Sequence, residues 1–251
     1  MKENNAKSVA NNNAFFNVQE VRQDFPILSQ TIYGKPLVFM DTGASSQKPQ
    51  VVIDSVKECY EKYYANVHRG AHFLSQRSTD AYEDARKSIA NFINARSENE
   101  IIFTSGVTES INLVAATWGR KFLCRGDEVI VSEMEHHANI VPWQLLELEI
   151  GIVIKVVPIN NAGEFSMDEY TNLLNKKTKL VAVTECSNVL GTVLPIKKIT
   201  QMAHAVGALV LVDGAQGIVH RRPNVIDLGC DFYGFTGHKI YGPSGVGVLY
   251  G

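Results

Sequence analysis

The sequence predicts an α/β protein with a mixed, mostly parallel, seven-stranded sheet and helices on both faces. From residue 100 onward, short apolar runs typical of buried parallel strands alternate with stretches of helical spacing. Polar residues follow the C-terminal ends of several of these runs, at the edge of the sheet where α/β proteins bind ligands. These two observations indicate a doubly wound layout with one ligand-binding edge.

The predicted elements follow from the apolar patterns along the chain. The seven predicted strands are Ile101–Phe103, Glu128–Val131, Val153–Ile159, Leu180–Thr184, Leu209–Val212, Asp231–Phe235 and Val246–Tyr250. The predicted helices are Val18–Phe25, Pro49–Tyr64, Ser78–Asn94, Ser105–Trp118, one opening at Glu135, Met167–Leu174 and Pro195–Val206. Ser166 is a predicted N-cap and Gly207 a predicted C-cap. Because a short turn precedes the last strand, we expect it to be antiparallel or an edge strand.

The composition is that of a soluble globular protein, with 45% hydrophobic and 20% charged residues. A net charge of −2 gives no reason to expect nucleic acid or an anionic membrane as a partner. No apolar run approaches the roughly 20 residues of a membrane span. The polar, Asn-rich N-terminus lacks a secretory signal, so the expected compartment is the cytoplasm. We expect residues 1–14 to form a disordered tail and residues 15–40 an N-terminal arm.

The four cysteines give no sign of a metal or disulfide framework. They are widely spaced and form no CxxC pair, which argues against a zinc site and against a small disulfide scaffold. Cys59 and Cys230 are predicted core residues, and Cys186 a buried strand cysteine. Cys124 is predicted to lie in a turn. No metal is therefore expected.

Asp213 and Lys239 are the candidate reactive pair. Each follows the end of a predicted strand, so the two side chains should lie at the same edge of the sheet. A partly buried lysine has a lowered pKa and can form a Schiff base, and an opposed carboxylate can keep a pyridine nitrogen protonated. Without further support, Asp213 could equally be a turn former and Lys239 a solvated surface lysine.

Two other stretches carry candidate ligand-binding residues. Ser105-Gly106-Val107-Thr108 joins a strand to a helix, where free backbone N–H groups bind phosphate, although many such turns are simple helix caps. Glu135-His136-His137-Ala138-Asn139 holds two adjacent histidines, which point in different directions on a helix and are a poor chelating pair. One surface histidine and one core histidine is the alternative interpretation.

The combined text resembles a known family. DGAQ at 213–216 and GHKIYGPSGVG at 237–247 resemble the pyridoxal-phosphate site of the class V aminotransferase group, in particular cysteine desulfurases of the Suf type. SGVT, EHHAN, SNVLG and VHRGAHFLS also appear, so the resemblance runs from about Val18 to Gly251. It departs from the family at Val107, where a Thr is usual, at Gly43, where an Ala is usual, and at Cys186, where an aliphatic residue is usual.

The resemblance implies a fold, a cofactor and a set of site residues. The fold is the large domain of fold type I enzymes, here residues 41–251, and the cofactor is pyridoxal 5′-phosphate. Implied catalytic residues are Lys239 as the Schiff-base lysine, Asp213 and His136. The same three and Gly106, Val107, Thr108, Asn188, Gln216, Thr236 and His238 are the implied cofactor-binding residues. The resemblance also implies that Arg69 helps to hold the substrate carboxylate; a plain surface arginine is the alternative interpretation.

The resemblance also implies an activity. Cysteine desulfurases convert L-cysteine to L-alanine and pass the sulfur, as a protein persulfide, to an acceptor protein of the Suf system for iron–sulfur cluster assembly; they act as homodimers. Selenocysteine lyase, another class V enzyme and a non-catalytic cofactor-binding fragment are the alternatives. The family's nucleophilic cysteine and carboxylate-binding arginine lie in a further C-terminal part. We therefore expect this chain to be an N-terminal portion that is inactive alone.

Overall fold

A computed structural model describes residues 16–251. The predicted seven-stranded sheet is confirmed, and a two-stranded hairpin precedes it. The hairpin strands are β1 (Thr31–Ile32) and β2 (Lys35–Pro36), and the sheet strands are β3 (Ile101–Thr104), β4 (Glu128–Ser132), β5 (Val153–Val157), β6 (Thr178–Thr184), β7 (Leu209–Asp213), β8 (Phe232–Thr236) and β9 (Gly247–Tyr250). Each predicted strand is present to within two residues at either end.

The sheet has the order β3-β9-β8-β7-β6-β4-β5. Strands β4 to β8 pair in parallel, whereas β9 pairs antiparallel with both β8 and β3. The antiparallel prediction for the last strand is confirmed, and that strand lies inside the sheet rather than at its edge. The parallel strands all end at one edge, so the polar residues after β4, β6, β7 and β8 meet there.

Two apolar layers enclose the sheet. The helices described in residues 16–251 are α1 (Val18–Gln23), α2 (Gln50–Glu58), α3 (Phe73–Ile93), α4 (Val107–Val114), α5 (Arg120–Phe122), α6 (Val141–Ile150), α7 (Met167–Leu173), α8 (Ile196–Ala205), α9 (Gly217–His220) and α10 (Val225–Leu228). Helices α3, α7 and α8 pack with Val181 and Val183 of β6 on one face, and α4 and α6 with Leu180 and Ala182 on the other. Because both faces are covered, the central strands are continuously apolar between their polar ends, as at 129–131 of β4, 180–183 of β6 and 209–212 of β7.

Three helix predictions needed correction at their ends. The helix predicted over Ser78–Asn94 begins at Phe73, after the N-cap His72. The helix predicted to open at Glu135 begins at Val141, because Pro142 occupies its first turn and His137–Asn139 form a separate 3-10 turn. The helix predicted to run from Ser105 to Trp118 begins at Val107 and continues as a π-helical turn, Ala115–Gly119. The predicted N-cap is confirmed, since the Ser166 hydroxyl accepts from the N–H of Glu169. The C-cap of α8 is Val206, and the predicted Gly207 is the next residue, where a φ of +82° ends the helix.

The apolar spacing predicts one buried face made of Val52, Val56, Cys59 and Tyr63 and, on α3, another made of Ala81, Ala85, Ile89 and Phe92. The first face is half-buried except at Val56, and the second is exposed except at Ile89, which is half-buried. Val56 of α2 is 42% exposed and Phe92 of α3 is 40% exposed, and α2 has no buried residue. Cys59, a predicted core residue, is only half-buried, whereas Cys230 is buried. The buried positions of α3 are Ser75, Ser78, Ala90 and Ile93, a different face from the predicted one. Periodicity locates a helical face but does not say what covers it.

The N-terminal arm and the tail remain predictions as structural units. Within the described residues, the arm contains α1 and the hairpin, and it contacts the next segment through the N–H of Gln50, which donates to the carbonyl of Asp24. The predicted disordered tail, residues 1–14, lies outside the described residues. We propose a domain boundary at residue 41. Among residues 16–251, no helix is long and apolar enough to cross a membrane.

Candidate functional site

The candidate site is a cavity at the carboxyl edge of the parallel strands. Its volume is about 360 Å³, within the range of roughly 300–1,000 Å³ typical of small-molecule sites. The lining residues are Gly43, Ala44, Val107, Thr108, His136, Thr184, Cys186, Asn188, Asp213, Ala215, Gln216, Thr236, His238 and Lys239. Nine of the ten residues predicted to bind the cofactor therefore lie around one cavity. The tenth, Gly106, lines an adjoining cavity that shares Val107, Thr108, Thr236 and His238.

Asp213 lines this cavity from the end of β7, and Lys239 lines it from the 3-10 turn that follows the neighbouring strand β8. Asp213 ends β7 and is 4% exposed; its Oδ1 accepts from the N–H of Ala215 at 3.0 Å. Burial raises the pKa of Asp213, and the charges of Lys239 and His136 oppose that rise. Burial also lowers the pKa of Lys239, with Asp213 opposing. The pair therefore combines a lysine with a larger neutral fraction and a carboxylate that a nearby cation would keep ionised.

Two glycines explain the sequence between Asp213 and α9. A Cβ at Gly214 would lie 2.1 Å from the ring of Tyr233, and a Cβ at Gly217 would lie 1.9 Å from Oε2 of Glu185. The Tyr233 hydroxyl donates to that same carboxylate at 2.6 Å. The buried Tyr233–Glu185 pair thus forms the surface on which the 213–217 loop lies. Positions 214 and 217 must therefore be glycine, so that the loop can lie against this pair with Asp213 and Gln216 at the cavity.

The turn that carries Lys239 is held by a separate segment of the chain. The carbonyl of His238 accepts from the N–H and the hydroxyl of Ser46, both at 3.0 Å, and from Nζ of Lys48 at 3.1 Å. Ser46 Oγ also accepts from the N–H of Tyr241 at 2.8 Å, where the backbone adopts a φ of +70°. Sequence reasoning missed Ser46 and Lys48. The sequence gives little indication of their role, since neither residue belongs to a recognisable motif.

The N-terminus of α4 provides an anion-binding end for the cavity. Gly106 precedes α4, and a Cβ at Gly247 of β9 would lie 2.4 Å from Cα of Gly106, so the two backbones are in direct contact. Thr236 and His238 approach from β8 and the turn after it. Burial and the charges of Lys239 and Lys48 lower the pKa of His238. Backbone N–H groups at a helix N-terminus favour phosphate, so this end suits a phosphate group.

His136 faces the cavity in a defined tautomer. It caps the 3-10 turn, and its Nδ1 accepts from the N–H of Ala138 at 3.1 Å. A neutral imidazole that accepts at Nδ1 carries its proton on Nε2. The rings of His136 and His137 are 6.2 Å apart and inclined by 77°, so they point in different directions, as the sequence indicates. Among the described residues, no cluster of three or more potential ligands could hold a metal ion.

Glu135 is a buried carboxylate that the sequence analysis did not single out. It is 8% exposed and accepts hydrogen bonds from the Ser132 hydroxyl, the Asn139 amide at 2.8 Å and the Thr184 N–H at 2.9 Å. Burial raises its pKa to about 7, with the charge of Asp213 adding to the rise and the three hydrogen bonds opposing it. The available signal was its position in the EHHAN motif.

The raised pKa of Glu135 predicts a pH-dependent stability. Between about pH 4.5 and pH 7 the folded protein holds a proton on Glu135 that the unfolded chain has released. The free energy of unfolding should therefore fall as pH rises through this window, by about 3 kcal/mol from this group. Urea unfolding of the wild type and of Glu135→Gln at several pH values checks this. The quantity to compare is the difference between their free energies of unfolding at each pH. A difference that stays constant across the window would contradict it.

The remaining predicted site residues differ in placement. Gln216 donates from its amide nitrogen to the carbonyl of Gly43 at 2.8 Å, which leaves the second N–H for a ligand. Asn188 is exposed at the mouth of the cavity. Arg69 is exposed on the loop before α3 and does not line the cavity. Cys186 is buried as predicted, but it lies two residues beyond the end of β6 rather than in the strand, and it lines the cavity, which the sequence did not indicate.

Known proteins resemble the chain over nearly its whole length. It is 55% identical over 236 residues to a probable cysteine desulfurase 1 of Mycobacterium leprae and 53% identical over 236 residues to a cysteine desulfurase of Yersinia pseudotuberculosis. Both alignments cover 94% of this chain, but 39% and 58% of the relatives. The chain thus spans well under two thirds of the length of these relatives.

Solved structures share the fold. The cysteine desulfurase CsdA of Escherichia coli superposes with a TM-score of 0.84 at 39% identity, covering 94% of this chain and 58% of that protein. The cysteine desulfurase of Thermococcus onnurineus NA1 gives a TM-score of 0.86 at 38% identity, with 93% and 56% covered. The fold of the chain is thus that of known cysteine desulfurase structures over more than nine tenths of its length.

The sequence profile of one family matches most of the chain. The Aminotransferase class-V profile covers residues 38–251, which include β3 to β9 and every residue that lines the cavity. The match begins just before the segment that holds the Lys239 turn. With 214 consecutive residues matched, from 38 to 251, the chain belongs to the aminotransferase class-V family.

Proposed function

We propose that the chain binds pyridoxal 5′-phosphate and acts in a cysteine desulfurase, which converts L-cysteine to L-alanine and retains the sulfur as a persulfide. The observation that carries the proposal is the placement of Lys239 and Asp213 in one cavity whose other end is the N-terminus of α4. The relatives named as cysteine desulfurases support the choice of reaction.

The residues present fit this cofactor. Within the described part of the chain, the Ala215 N–H is the hydrogen-bond donor to Asp213, at Oδ1, so Oδ2 can accept a proton-bearing ring nitrogen. An amine, a buried carboxylate and an anion-binding helix end match the aldehyde, the ring nitrogen and the phosphate of the cofactor in turn. When bound, pyridoxal phosphate supplies a carbonyl group that reacts with amines and a ring that accepts electron density from the amino-acid substrate.

Lys239 would act as nucleophile and proton carrier. Its lowered pKa increases the neutral fraction of Nζ, and only the neutral amine can attack a carbonyl group or accept a proton from a substrate carbon. The hydrogen bonds of Ser46 and Lys48 to the neighbouring His238 carbonyl restrict the backbone of the turn. A restricted backbone keeps Nζ within reach of the reacting atoms.

Asp213 and His136 would act on the ring of the cofactor. The Asp213 carboxylate would hold a proton at the ring nitrogen, since an ion pair in a buried site strongly favours the charged forms. His136, which carries its proton on Nε2, would cover the ring from the loop after β4 and donate from that nitrogen. Gln216 and Asn188 would contact the polar edge of the ring, and Thr236 and His238 the phosphate.

Trapping the lysine tests this proposal directly. Borohydride reduction of the protein mixed with pyridoxal phosphate, followed by peptide mass spectrometry, should place the label on the peptide that contains Lys239. Lys48, which lies close by and also has a pKa lowered by burial, provides an internal comparison within the same digest. Labelling spread over many lysines, with no preference for Lys239, would contradict the proposed site.

We expect the 251-residue chain to release little alanine from L-cysteine. Cys186 is the cysteine that lines the cavity, and burial and the charge of Glu185 raise its pKa, so it stays a protonated and weakly nucleophilic thiol. Turnover should be at least about a hundredfold below that of the Yersinia relative. A coupled alanine assay measures this, and turnover near that of the relative would show that a cysteine of this chain is the nucleophile.

The finer parts of the function rest on the sequence resemblance. These are the transfer of sulfur to an acceptor protein of the Suf system, the role in iron–sulfur cluster assembly, the homodimer and the part of Arg69 in binding the substrate carboxylate. Each is a proposal for the enzyme as a whole. The exposed position of Arg69 on the loop before α3 leaves it accessible to a partner or substrate.

A further inference from the structure

We propose that Glu135 is a positioning residue that fixes His136 at the cavity. Glu135 stands next to His136 in the chain, and its side chain turns inward while His136 lines the cavity. The inference rests on the proposed function, because it concerns how the cofactor-facing histidine is held. The inference is based on the hydrogen bonds that the Glu135 side chain makes to neighbouring elements.

The Glu135 carboxylate connects three elements. Its Oε1 accepts from the Ser132 hydroxyl at the end of β4 and from the Thr184 N–H at the end of β6, and its Oε2 accepts from the amide of Asn139 in the 3-10 turn. Asn139 in turn accepts from the indole of Trp143 at 3.2 Å. The segment with His136 is therefore tied to two strands and to α6 by one side chain.

These contacts require a carboxylate at this position. The Thr184 N–H and the Asn139 amide can only donate, whereas the Ser132 hydroxyl can donate or accept. An ionised carboxylate therefore accepts from all three groups, and a protonated carboxyl can donate to Ser132 while it still accepts from the other two. A glutamine would present an N–H₂ group to at least one donor, which would leave a buried donor unpaired. Asn139 and Trp143 are both fully buried, so water cannot replace the missing partner.

The network also reaches Asp213. Thr184 pairs with Asp213 in the parallel register of β6 and β7, and Thr184 itself lines the cavity. The N–H that Glu135 accepts from is thus on the residue beside the carboxylate proposed to face the ring nitrogen. By holding Thr184 and the 135–139 segment together, Glu135 sets the relative placement of His136 and Asp213 across the cavity.

The test compares Glu135→Gln with Glu133→Gln in the full 251-residue chain. Glu133 provides the matched control, because it lies on the same loop, is exposed, and its carboxylate accepts a single backbone N–H, that of Ile159. The first readout is the imidazole Cε1–H resonance of His136 in the protein without added cofactor, assigned by its loss in His136→Gln. The second is the dissociation constant for pyridoxal phosphate, measured by absorbance.

We expect Glu135→Gln to shift or split the His136 resonance and to weaken pyridoxal-phosphate binding about tenfold, while Glu133→Gln matches the wild type in both. A wild-type resonance and a wild-type dissociation constant in folded Glu135→Gln would overturn the proposal. If Glu135→Gln does not fold, Glu135→Asp decides, because it keeps the carboxyl group and is one methylene too short to reach all three partners.

The two readouts separate this inference from the proposed function. If the wild type binds no pyridoxal phosphate, the proposed function is wrong, yet the His136 resonance still shows whether Glu135 holds the segment. If the wild type binds pyridoxal phosphate and the variant changes neither the resonance nor the affinity, only the positioning role is wrong. A lower melting temperature with an unchanged His136 resonance would show a purely structural role and would also overturn the proposal.

Discussion

Replacing Lys239 by alanine is expected to abolish the protein-dependent visible absorption band that we expect from the purified chain with pyridoxal phosphate, measured against the free cofactor. The band requires a covalent bond between the cofactor carbonyl and a lysine amine, and Lys239 is the lysine whose side chain lines the cavity. Burial lowers its pKa, so it is also the amine in the cavity prepared to react. Absorbance titration of the wild type and of Lys239→Ala against pyridoxal phosphate measures the effect.

Two control variants make the result interpretable. Lys239→Arg keeps a cation beside Asp213 but removes the nucleophile, so it should fold like the wild type and give no band. Lys198→Ala removes an exposed lysine of α8 and should leave the band unchanged. A full band in Lys239→Ala would show that a different lysine binds the cofactor and would remove the basis of the proposed site.

Gly214→Ala is expected to destabilise the protein strongly, because the added methyl group has no space beside the site. The added Cβ would lie 2.1 Å from a ring atom of Tyr233, whose side chain is fully buried and donates to Glu185. The ring cannot move aside without breaking that hydrogen bond, so the free energy of unfolding should fall by about 3 kcal/mol or more. Chemical denaturation of the purified variant checks the stability, and the absorbance titration checks the site.

Gly43→Ala is the matched control for this change. A Cβ at Gly43, which also lines the cavity, would meet only the amide nitrogen of Gln216, at 4.0 Å. The same methyl group should therefore change the free energy of unfolding by less than about 0.5 kcal/mol. Equal effects of the two substitutions would show that steric contact with Tyr233 is not what selects glycine at position 214.

The sheet could be predicted from sequence because its central strands are covered on both sides. Continuous apolar runs such as Leu180–Val183 have few other interpretations, and the short turn before β9 predicted its antiparallel pairing. The buried faces of the helices outside the sheet, such as α3, were harder to predict. The stripe assigned to α3 ends at Phe92, which is 40% exposed, because an amphipathic pattern does not identify its partner.

The residues of the candidate site also divide into those that the sequence could place and those that it could not. Residues directly after strands, such as Asp213 and Thr236, could be placed at one edge by topology alone, since parallel strands end together. Ser46 and Lys48 could not, because they reach His238 across more than 180 residues of chain. Glu135 also escaped notice as a buried carboxylate, since burial of a charged residue depends on three donors from separate elements.

The sequence by itself determined the α/β class, the seven strands, the edge at which Asp213 and Lys239 lie, and the resemblance to class V enzymes, because these depend on local patterns and short motifs. Only the tertiary structure decided which groups surround those residues: the Tyr233–Glu185 pair under Gly214, the Ser46 contact that holds the Lys239 turn, and the Glu135 network beside His136. Such contacts join residues far apart in the chain, and their strength depends on burial, which no local pattern encodes.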